Sequence, residues 1–197
     1  MEQASASGPF SVAFVCTGNR FRSVIAEAAF RVATEDLPVQ VMSYGTLELG
    51  PAEPLPEAVR EAHALGLDVS THVARSLTEA DLTQTSLVVG FELGHAVAAV
   101  DVAGARPEHV FVLLELVELL DRIGAVRRPD PIEQAVENIA RAQATRRAGP
   151  RRRPGPEIED PISLPGSSQR AIGQAVHDGA EALALQLFGR DERGKRR

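Results

Sequence analysis

Cysteine is almost absent: the chain of 197 residues has one, Cys16. A single thiol excludes an intramolecular disulfide, and no paired Cys/His spacing could close a structural zinc site, so the sulfur is free and fits a reducing cytoplasm. Tryptophan is missing and tyrosine occurs once, which leaves little material for an aromatic-walled pocket. No apolar run reaches the length of a membrane span, and residues 1–11 lack the basic start and long apolar stretch of a secretory signal. The formal net charge of -6 argues against bulk nucleic-acid binding, although the arginines are bunched late in the chain. These absences predict a cytoplasmic protein with neither a membrane nor a nucleic acid as partner.

What is present suffices for one good core. At 44% hydrophobic, the chain is expected to form a single domain over residues 1–197. Short β-rich runs at 10–15, 40–44, 86–91 and 109–113 alternate with helical periodicity at 24–33, 56–65 and 94–100. Gly66 and Gly104 stand where helix C-caps belong. Strands joined by helices predict an α/β fold with a parallel sheet. The stretch "AGPRRRPGP" at 148–156 has the composition of a linker, and "RDERGKRR" at 190–197 reads as a frayed, flexible tail.

The lone thiol sits in "VAFVCTGNRFRSVIAEAAF", residues 12–30, where an apolar run breaks and resumes as a helix. A strand ending at Val15, a loop, and a helix beginning near Ser23 would aim backbone N–H groups and a helix N-terminus at one point. That geometry binds anions and favours a thiolate at Cys16. Gly18 and Asn19 tolerate a left-handed backbone, and Arg22 brings a planar fork able to grip two phosphate oxygens. A buried cysteine capping a strand is the competing account.

Cys16, five residues, then Arg22 and Ser23 resembles the loop Cys-x-Gly-Asn-x-x-Arg-Ser of the low-molecular-weight protein tyrosine phosphatase family. The likeness continues through "SYGT" at 43–46, "STHVARSLTEADL" at 70–82 and "IEDP" at 158–161. It implies a four-stranded parallel sheet with helices on both faces, and hydrolysis through a cysteinyl-phosphate without metal or cofactor. By the same resemblance Cys16 is the nucleophile. Arg22 and the loop from Thr17 through Gly18, Asn19, Arg20 and Phe21 to Ser23 would cradle the phosphate. Ser23 would hydrogen-bond the sulfur while also capping the helix, and Ser43 and His72 would brace Asn19 from outside the loop.

The general acid must be chosen between two Asp-Pro pairs. Asp130 and Pro131 open an amphipathic stripe of Ile132, Ala135, Val136 and Ile139, for which Asp is a good N-cap and Pro a good first residue. Asp160 and Pro161 lie in the aperiodic loop "EIEDPISLPGS", ahead of a helix starting near Ser167 or Ser168 and running to Leu187. A loop aspartate reaching over the cradle is what the family uses, so the acid is assigned to Asp160.

Where family members carry aromatics after the Asp-Pro pair, this chain has Ile162 and Ser163, and the loop after "SYGT" reads "LELG". Leu47, Leu49 and Ile162 would supply apolar contact, Phe21 a ring face, and Arg20 an anion-attracting rim. The expected substrate is a phosphorylated protein, phosphotyrosine first, or else a small phosphate ester. Phe21 occupies the place of a second loop cysteine that would rescue oxidised Cys16. Two alternatives stay open: an arsenate reductase borrowing an external small thiol, and a catalytically silent phosphate-binding or docking protein. A helical, Arg-rich insertion at about 127–157 ends in Arg151, Arg152 and Arg153, either a solvated appendage or a site for an anionic partner.

Overall fold

The computed structural model describes residues 9–148 and 156–189. The sheet comprises β1 (Phe10–Cys16), β2 (Val39–Gly45), β3 (Leu87–Gly90) and β4 (Val110–Val112). All pairings are parallel, in the order β2-β1-β3-β4. Among the described residues six α-helices join and cover them: α1 (Arg22–Ala33), α2 (Pro56–Ala64), α3 (Leu93–Asp101), α4 (Leu113–Ile123), α5 (Pro131–Ala148) and α6 (Gly166–Phe188). Four expected strands and the α/β class are thus found, with helices on both faces.

Strand alternation sorts the core into two layers. On β1, Val12 and Phe14 point into the larger core under α1, α4 and α6, while Ala13 and Val15 face the smaller one beneath α3. Both faces of the strand are buried, so it reads as an unbroken apolar run. The chain leaves β1 toward one neighbour, β2, and reaches the other, β3, by a later crossover. The carboxyl ends of β1 and β3 form the topological switch point, where strand order reverses and ligands of open α/β sheets bind. Cys16 is the last residue of β1.

Helix α4 is an addition to the expected elements. The apolar run after position 109 reads equally as strand or helix start. Only Val110–Val112 pair in the sheet, and Leu113, Leu116 and Leu120 then bury one helical face. Gly66 (φ 76°) and Gly104 (φ 69°) take the left-handed backbone expected of them. Among the described residues no helix is long and apolar enough to cross a membrane.

Helix α5 is seated on the domain by its own polar groups. Asp130 Oδ1 caps it, accepting from Ile132 N at 2.7 Å and Glu133 N at 3.1 Å. Arg146 donates to Val110 O at 2.7 Å and Pro107 O at 3.1 Å, its guanidinium 4.1 Å from the centre of the Phe111 ring. Arg146 thus ties α5 to the start of β4. Arg151, Arg152 and Arg153, with most of the linker, and the tail at 190–197 lie outside the described residues.

The fully buried Asn138 accepts from Val126 N at 2.9 Å and donates to Gln186 O at 3.2 Å, joining α5 to the end of α6. Asn138→Leu strands those backbone groups and is expected to cost about 2 kcal/mol or more, read as a lower chemical-denaturation midpoint.

Candidate active site

The loop after β1 is shaped by two close approaches. Thr46 N donates to Cys16 O and Leu47 N to Thr17 O, both at 2.9 Å, so the chain leaving β2 lies along the start of the loop. The two run so near that a Cβ on Gly45 would sit 2.9 Å from Asn19 N and Gly18 C. The left-handed turn falls on Asn19 (φ 51°) rather than on Gly18. Helix α1 then starts at Arg22 with no side-chain cap and no acidic residue in its first turn. Its first amides and positive dipole end are left to face whatever sits in the loop.

Ser23 therefore does not cap the helix, correcting its second expected role; Phe21 holds the cap position. The Ser23 hydroxyl lies 3.0 Å from Cys16 Sγ and accepts from Asn19 Nδ2 at 2.9 Å. With that lone pair filled, its own proton is free for the sulfur. Asn19 Nδ2 also donates to Ser43 Oγ at 2.7 Å, and Ser43 Oγ donates in turn to Glu27. Arg75 N donates to Asn19 Oδ1 at 2.8 Å, fixing the amide's orientation, and His72 Nε2 donates to Asn19 O at 3.0 Å. The structure thus brings Asn19, Ser23, Ser43 and His72 together. Glu27, almost fully buried, closes the chain against Arg31 and Arg75. Burial holds the His72 imidazolium down, against the pull of Glu27.

Arg22 is 1% exposed. One terminal nitrogen pairs with Glu92 and donates to Ile158 O at 2.8 Å; the other donates to Thr17 Oγ1 at 3.0 Å and Asp160 Oδ2 at 2.5 Å. The Asp160 loop is stitched to the same place, Ile158 N to Phe91 O at 2.9 Å and Leu93 N to Glu157 Oε1 at 2.7 Å. Of the two Asp-Pro pairs, then, Asp160 reaches the arginine, while Asp130 is engaged in capping α5.

Two rim expectations change. Arg20 Nε donates to Glu53 O at 2.7 Å and its carbonyl accepts from Leu55 N at 2.9 Å, so the side chain clasps the neighbouring loop instead of standing open to substrate. Phe21 is buried in the main core and offers no ring face. Leu47, Leu49 and Ile162 remain about half exposed, an aliphatic rim.

Glu92 and His95 are additions that sequence reasoning missed; the available signal was a Glu and a His three apart just beyond a strand's carboxyl end. His95 Nδ1 accepts from Glu92 N at 3.2 Å and Phe91 N at 3.4 Å, and its Nε2 lies 3.1 Å from Thr17 Oγ1. Burial, then the Arg22 charge, pushes its pKa down to about 4.

A buried arginine fork, uncapped amides and a thiol at a sheet's switch point make this a cysteine-dependent phosphatase site. A family model described as low molecular weight phosphotyrosine protein phosphatase matches residues 11–145, and the chain belongs to that family. The low molecular weight protein-tyrosine-phosphatase of Streptomyces coelicolor is 41% identical over 93 residues, a match spanning 44% of this chain and 55% of that protein. The protein-arginine-phosphatase of Bacillus subtilis is 29% identical over 142 residues, 66% of this chain and 94% of that one. A solved YwlE mutant from Bacillus subtilis shares the fold with a TM-score of 0.64 at 23% identity, over 90% of this chain and 98% of that chain.

His95, which is buried, and His72, which is partly so, both bind a proton more readily unfolded than folded. Stability should accordingly fall as pH drops below about 6.5, His95 alone contributing about 3 kcal/mol by pH 4. His95→Asn keeps an acceptor for the Glu92 amide but cannot titrate; denaturation across that range should show a shallower slope.

Proposed function

We propose that the protein hydrolyses phosphomonoesters on proteins, phosphotyrosine first, through a cysteinyl-phosphate on Cys16. The observation that carries the reading is convergence: the sulfur with its Ser23 donor, the Arg22 fork and the Asp160 carboxyl all border one loop. Cys16 thiolate attacks phosphorus in line, forming S–P as the ester P–O bond breaks, while Asp160 gives its proton to the departing oxygen. Arg22 and the loop amides hold the three equatorial oxygens as charge develops. The phosphoryl group takes over the guanidinium nitrogen that Asp160 holds in its absence, so the freed carboxylate takes up a proton from solvent and turns to the leaving group. Water then attacks, Asp160 accepts its proton, and the S–P bond breaks with the Ser23 hydroxyl steadying the sulfur.

A second reading concerns the substrate. The rim is aliphatic, with Leu47, Leu49 and Ile162 where a planar ring would want aromatic walls. One relative is named a protein-arginine-phosphatase. Together these make phosphoarginine the competing substrate side chain.

Cys16→Ser should abolish hydrolysis of an aryl phosphate. Asp160→Asn should slow esters of poor leaving groups about a hundredfold more than those of good ones; an equal loss on both would move the acid elsewhere. The ratio of kcat/KM for matched phosphotyrosine and phosphoarginine peptides decides between the two substrates.

A further inference from the structure

We propose that His95 is a positioning residue that turns the Thr17 hydroxyl into a hydrogen-bond donor for the phosphoryl group, an inference that rests on the phosphatase reading. The argument is one of hydrogen-bond polarity. His95 Nδ1 receives two backbone N–H groups at the start of α3, from Phe91 and Glu92, and a nitrogen receiving protons cannot carry one. The ring's proton is therefore on Nε2, directed at Thr17 Oγ1, 3.1 Å away. The same oxygen accepts from Arg22 Nη2 at 3.0 Å, a nitrogen with no capacity to accept. Both lone pairs of the hydroxyl are thus filled.

Among the described residues the structure gives Thr17 Oγ1 no third partner. Its own proton lies beside the guanidinium nitrogen that a bound phosphate would take. Without His95 the hydroxyl could rotate and present a lone pair to the incoming anion, which repels it. With His95 it presents a donor. Arg22, Glu92, Asp160 and Glu157 are the charged groups around the ring, and burial keeps it neutral well below the working range of a phosphatase. The tautomer persists because both Nδ1 donors are main-chain groups, fixed by the turn from β3 into α3.

The test reads inorganic phosphate binding by calorimetry alongside kcat/KM for an aryl phosphate, so a protein that binds phosphate without turnover still reports on His95. Thr17→Val and His95→Asn should each weaken phosphate binding about tenfold or more, as expected for a bond to a charged group. Thr17→Ser should restore the loss. In the double variant the second change should add nothing. Nitrogen-15 spectra of the histidine rings should show His95 as the Nε2–H tautomer, unchanged between pH 8 and pH 5. Losses that multiply in the double variant, wild-type binding by His95→Asn, or an Nδ1–H ring would each overturn the proposal. Should His95→Asn fold poorly, Thr17→Val and the tautomer in the native protein decide it.

Discussion

The guanidinium of Arg22 is a full charge removed from water, and the site is organised around that fact. Withdrawing such an ion costs several kcal/mol unless its donors are met. Here they are met by Glu92, Asp160, the Ile158 carbonyl and the Thr17 hydroxyl, drawn from three separate parts of the chain. Any of these segments displaced would leave a buried donor unpaired. The structure consequently holds two carboxylates, those of Glu92 and Asp160, against a standing buried cation.

The opposite wall of the loop obeys a different logic. From Cys16 through Ser23, Asn19 and Ser43 to Glu27, each group has its donor and acceptor roles determined by the next. Satisfied chains of this kind are rigid, because no member can rotate without orphaning a neighbour. The chain ends on a carboxylate held by two arginines on the far side of α1.

Much of this was legible in the sequence because it is local. The loop from Cys16 to Ser23 is contiguous, so spacing alone carries its geometry, and Gly66 and Gly104 signal helix ends through a conformation other residues resist. Asp130 and Asp160 could be told apart because only one precedes an apolar period. Glu92, His95 and Glu27 could not be found this way. Their significance depends on which strands are neighbours, and Glu92 meets Arg22 across 70 residues. Arg20 and Phe21 misled for a related reason: a charged or aromatic residue in a loop reads as solvent-facing until tertiary packing supplies a carbonyl or a core. Helix α4 hid because three strand residues and a leucine-rich helix share one unbroken apolar run.

The acid loop takes its position from where it is fastened, not from the chain that leads into it. Glu157, Ile158 and Asp160 are each pinned to the β3–α3 turn or to Arg22, and α5 is anchored independently at its start by Asp130 and near its end by Arg146. The two anchorages are independent of one another, so loosening α5 at Asp130 or Arg146 leaves Glu157, Ile158 and Asp160 still fastened to the β3–α3 turn and to Arg22.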